Sequence, residues 1–145
     1  MCVSDAMSTS ELKCLIPDQK NWLAKVWIGI GAVLGLLGVV AGAAGIHVLS
    51  GSLDAGALGT FETAVRFQMY HAFALLFTGL LADRWRSRWT DAAGWLFVLG
   101  VIVFSGSLYG LALSGIGVLG AIAPIGGLSL ILAWAALAIT VLRRS

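Results

Sequence analysis

Residues 26–49 contain no Lys, Arg, Asp or Glu. As an α-helix such a run is about 35 Å long, enough to cross a hydrocarbon core of about 30 Å with some tilt. A secretory signal would need only about 7–15 apolar residues, and three more apolar segments follow. Residues 92–113 and 118–142 are also uncharged. The segment 62–82 is less apolar, because it carries Glu62, Arg66, Gln68 and His71. Its uninterrupted part, 72–82, is too short to cross alone, so the polar half must either be shielded by protein or project beyond the membrane. Composition agrees with this reading. The chain is 59% hydrophobic and 11% charged, against about 45–50% and about 25% for soluble domains. The expected fold is all-α, a bundle of four transmembrane helices at about 26–49, 62–82, 92–113 and 118–142.

Four crossings put both termini on one side. Lys13, Lys20, Lys25, Arg84, Arg86, Arg88, Arg143 and Arg144 then share one face, and Arg66 stands alone on the other. The positive-inside rule makes the basic face cytoplasmic, so the expected topology is N-in and C-in. Trp22, Trp27, Trp85, Trp89 and Trp95 lie near span ends, where an interfacial belt would place them. Residues 1–25 read as a polar cytoplasmic tail and 143–145 as a cytoplasmic end. In the tail Ser8 and Glu11 have capping-box spacing, which suits a short interfacial helix or a frayed segment. Cys2 and Cys14 read as unpaired thiols. A formal charge of +2 gives no case for nucleic acid as a partner.

Five features invite a functional question. Gly31, Gly35, Gly38, Gly42 and Gly45 fall within about 80° on the first helix and leave one face without side chains. Such a face receives another helix, since close backbone approach drives packing in lipid, or else it forms a groove for lipid or a small ligand. Glu62, Arg66 and Tyr70 are spaced by four and form a polar stripe on the second helix. Gln68 and His71 lie on roughly the opposite face, and His47 sits at similar depth on the first helix. Together these six residues form a candidate polar intramembrane network, read as hydrogen bonding or as proton or metal chemistry. Gly106 and Gly110, beside Ser105, Ser107 and Tyr109, form a GxxxG suited to packing. Pro124, Gly126 and Gly127 mark a kink in the fourth helix. No catalytic motif, metal-ligand spacing or cofactor signature is present.

Four stretches carry a family resemblance: residues 42–47 (GAAGIH), 60–72 (TFETAVRFQMYHA), 104–109 (FSGSLY) and 124–128 (PIGGL). Over about residues 26–142 the chain resembles domain-of-unknown-function family 423, small YgdD-like bacterial membrane proteins with relatives in eukaryotes. It departs from that pattern in its longer N-terminal tail and in Phe67, where a tyrosine is expected. The resemblance implies a multi-pass protein of the bacterial cytoplasmic (inner) membrane and assigns no activity.

Two functions compete. The first is a non-enzymatic structural, interaction or accessory protein, with the lipid bilayer, a homo-oligomer or a membrane-protein partner as its contacts. The basic loop with Arg84, Arg86 and Arg88 would contact anionic lipid or that partner, and Arg143 and Arg144 complete the cytoplasmic basic set. The alternative is an oligomeric transporter or channel for small solutes, ions or protons, using the polar segment of the second helix.

Overall fold

The computed structural model describes residues 22–85 and 87–143. The tail features at Cys2, Ser8, Glu11, Lys13, Cys14 and Lys20 lie outside the described residues, as do Arg86 and Arg144. Among the described residues four long helices run in chain order: α1 (Trp22–Ala44), α2 (Ala55–Arg84), α3 (Arg88–Ser114) and α4 (Val118–Leu142). A π-helical turn, Gly45–Leu49, continues α1. Three of the four are long and apolar enough to cross a membrane: Trp22–Leu49, Arg88–Ser114 and Val118–Leu142.

The polar second segment forms the longest helix. α2 has 30 residues, about 45 Å of helix, and it begins well before Glu62. Asp54 sets the start. Its Oδ1 accepts hydrogen bonds from the Gly56 N–H at 2.8 Å and the Ala57 N–H at 3.1 Å, which satisfies donors that have no intrahelical acceptor. The helix ends at Trp85, whose N–H still reaches Leu81 O. Ser87 then caps α3 through Trp89 N–H. At the far end of α3 the chain turns through Gly115, whose φ of 70° is a conformation that favours glycine.

The packing order follows the chain: α1 lies on α2, α2 on α3, and α3 on α4. The bare face of α1 is where α2 approaches. A Cβ at Gly31 would sit 2.9 Å from Ala72 O, and one at Gly38 would sit 2.5 Å from Met69 Sδ. α2 returns the arrangement at Gly79, where a Cβ would lie 2.8 Å from Ala24 O. α3 and α4 meet at Gly126, which is pressed against the Phe104 backbone. Gly126 is therefore a close-packing position beside Pro124, and Gly127 faces the Phe104 ring at 3.7 Å. Gly110 receives Leu119, whereas Gly106 has open space where a Cβ would go. The GxxxG pair is thus split between a contact and a notch.

The core is centred on Trp27, Leu75 and Phe97, all fully buried. Trp27 departs from the interfacial belt. It points inward, over Gly94, with its ring edge-on to Trp95 at 5.1 Å. Trp22 and Trp95 are exposed. The outer surface is apolar on all four helices, with Leu36, Phe73, Phe77, Leu99, Ile125 and Ile131 each more than half exposed. An inside-out distribution of this kind suits hydrocarbon as the solvent and not water.

These contacts rank the glycines. Gly31→Ala and Gly126→Ala should each destabilise the protein by about 1–3 kcal/mol, because a methyl group there meets backbone. Gly106→Ala should be neutral or slightly stabilising, since it fills a notch and removes a helix-weakening glycine. Unfolding of the purified variants in mixed micelles would measure the order.

Candidate functional site: a polar node at the meeting of three helices

Gln68 is the centre of the interior polar chemistry. It is 6% exposed and lies on α2 between α1 and α3. Its Nε2 donates to Leu34 O on α1 at 2.8 Å, and its Oε1 accepts from the Tyr109 hydroxyl on α3 at 2.9 Å. One amide side chain therefore ties three helices. Gly38 lies beside this amide, and a Cβ there would stand 3.5 Å from Gln68 Nε2, in ordinary contact with it. Tyr109 is held in place by Phe61, ring centroids 5.0 Å apart.

His71, one turn further along α2, is also buried. Its Nδ1 lies 2.7 Å from Phe67 O, and its Nε2 lies 3.4 Å from Trp134 Nε1 on α4. The Trp indole can only donate, so Nε2 is the acceptor and Nδ1–H the donor. This is the neutral tautomer with both nitrogens used. Phe67, Phe97 and Trp134 surround the ring at centroid distances of 5.9, 5.6 and 6.4 Å. Ser129 on α4 donates to Leu96 O on α3 at 2.8 Å, and Thr90 meets Thr140 at 3.4 Å.

The other four candidates do not join this network. Glu62, Arg66 and Tyr70 lie on the exposed side of α2, with Tyr70 57% exposed, and His47 is exposed on the π-helical turn. The six residues thus divide into two buried helix ties and four outward groups. Glu62 stands about 33 Å along α2 from Arg84 and Arg66 about 27 Å. Along the polar half of α2, Gln68 and His71 are shielded by protein while Glu62, Arg66 and Tyr70 are turned outward, and the helix extends beyond Glu62 to Ala55. Among the described residues no three His, Cys, Asp or Glu side chains gather as a metal site.

Two grooves flank the node. One, of about 260 Å³, is floored by Gly42 and Gly45 and walled by Phe61, Glu62, Val65 and Arg66. The other, of about 450 Å³, opens between α1 and α3. Its wall includes Leu37, Val101, Gly106, Gln68, Tyr109 and Ser105, and the buried Ser105 Oγ has no hydrogen-bond partner among the described residues. Trp134 was not among the sequence candidates. Its signal was a tryptophan far from both ends of an apolar helix, where an indole N–H needs a protein acceptor.

The family model described as "Protein of unknown function (DUF423)" matches residues 41–127, a span that holds the whole Gln68 node except Leu34. A UPF0382 membrane protein of Staphylococcus epidermidis is 43% identical over 82% of this chain and 97% of its own length. UPF0382 membrane protein YwdK of Bacillus subtilis is 42% identical over 76% of this chain and 90% of its own. No solved structure matches.

The node makes a quantitative demand. Gln68→Leu and Tyr109→Phe should each destabilise the protein, and a double-mutant cycle between them should give a coupling of about 0.5–2 kcal/mol. Tyr70→Phe, on the exposed face, should change stability by less than about 0.5 kcal/mol. Reversible unfolding in mixed detergent micelles would read all three.

Proposed function

The chain belongs to the DUF423 family of proteins of unknown function, and we propose that it is a four-span, non-enzymatic protein of the bacterial inner membrane that serves as a rigid interaction or accessory partner. The observation carrying this reading is the use of the interior polar groups. Gln68, Tyr109, His71, Trp134 and Ser129 are each spent on another helix. Groups committed to each other fix one packing arrangement and leave few sites to pass a proton or solute.

Four spans are supported by the position of α2. It is packed between α1 and α3, and its outward face carries Phe73, Phe77 and Leu80. Such a helix has no place in water. Its polar outer residues then reach the far interface, where Arg66 can extend its head to water. Lys25, Arg84, Arg88 and Arg143 lie at the other ends of the helices, and the positive-inside rule makes that side cytoplasmic.

A carrier of small solutes or ions is the second reading. What favours it is the groove between α1 and α3, where Gln68, Ser105 and Tyr109 line an outward-opening wall. Four helices enclose little by themselves, so this version requires an oligomer.

Three measurements separate these readings. In intact cells an impermeant thiol reagent should spare native Cys2 and Cys14. It should label Ser52→Cys placed in a Cys2→Ser, Cys14→Ser background, and the reverse pattern would refute the topology. Gentle detergent extraction should retain a homo-oligomer or a stable partner; recovery of a bare monomer at every concentration would count against the interaction role. Reconstituted liposomes should show no solute or proton flux above empty vesicles, and flux abolished by Gln68→Leu would establish the carrier instead.

A further inference from the structure

Where α3 begins and α4 ends, a cavity of about 600 Å³ is lined by Ser87, Arg88, Trp89, Ala92 and Arg143. The Arg143 guanidinium lies over the Trp89 ring at 5.2 Å, a cation–π contact that orients it. Thr90 and Thr140 meet at 3.4 Å and tie the same two helix ends together. Two arginines therefore line one cavity, and one of them is oriented by an aromatic ring. Asp91, one turn from Arg88, has a partner of its own, and even with its carboxylate counted the cavity is net positive.

We propose that this cavity seats the phosphate headgroup of an anionic phospholipid in the leaflet at the basic end of the helices. The guanidinium fork matches phosphate oxygens in geometry and charge. The helix terminus adds little, because Trp89 N–H is taken by Ser87 Oγ and the N–H groups of Thr90 and Asp91 by Ser87 O. Recognition therefore falls to the two arginines. A lipid suits the site better than a free anion because of what lies beyond Ala92. Trp95, Leu99 and Ile102 continue the same outward face of α3, each more than half exposed. Their spacing of three and four makes a continuous apolar track on which acyl chains can lie. The site needs only that the chain is embedded in a membrane, and it is independent of which side the basic end faces.

The test uses the full chain, delipidated in a non-ionic detergent and titrated with phosphatidylglycerol or phosphatidylcholine under native mass spectrometry. Phosphatidylglycerol should bind about tenfold more tightly than phosphatidylcholine. The pair Arg88→Gln, Arg143→Gln should erase that preference, and Arg143→Lys should keep most of it. Thermal unfolding without lipid checks that the variants remain folded. Equal binding of the two lipids, or a double variant that still prefers phosphatidylglycerol, would overturn the proposal. So would inorganic phosphate displacing phosphatidylglycerol at equal concentration, which would mark a site for the free anion only.

Discussion

The structure depends on the close approach of α1 and α2. In lipid there is little hydrophobic force between helices, so contact must come from shape and from hydrogen bonds. The glycine face supplies both. It lets the α2 backbone come within van der Waals distance at Gly31, and it leaves the Leu34 carbonyl within reach of Gln68. With Gln68 anchored, its other end is free for Tyr109, and α3 is tied in as well. His71 extends the same helix toward α4 through Trp134. α2 is thus the hub of the bundle, and its two buried polar residues, Gln68 and His71, are spent on that task.

The sequence made the helical character legible, because apolar runs of this length have few other solutions. It also made the bare face of α1 legible, because glycine spacing is a local property. What that face meets was not legible, since it depends on which residues of α2 lie opposite, and nothing local encodes that. The polar residues of α2 show the same limit. Periodicity separates Glu62, Arg66 and Tyr70 from Gln68 and His71, but it cannot say which side faces protein. The side with three polar residues turned outward, and the side with two turned in. The outward stripe runs from Glu62 to Tyr70, the middle of the helix. Gln68 lies between Arg66 and Tyr70 along the axis and His71 just beyond Tyr70, so the side of the helix decides which residues are buried and need partners.

Trp27 and Trp134 show why residue type alone misleads. Tryptophan near a span end suggests an interface, yet Trp27 is buried against Gly94. The missing side chain at Gly94 on α3 makes that room, 67 positions further along the chain. Trp134 is in the middle of α4 and finds its acceptor on α2. Both placements are set by a complement elsewhere in the chain, so only three-dimensional packing reveals them.

The π-helical turn at Gly45–Leu49 has a consequence for how this family can change. A π turn is a helix carrying one residue more than its length requires. Removing one residue there would return the segment to ordinary α-helix. The register of Gly31, Gly35 and Gly38 against α2 would be unaffected, because they precede it. The C-terminal end of α1 is therefore a place where the chain can gain or lose a single residue without moving Gln68 from its carbonyl. The rest of α1 has no such slack: an insertion before Leu34 would turn the glycine face by about 100° and detach the hub.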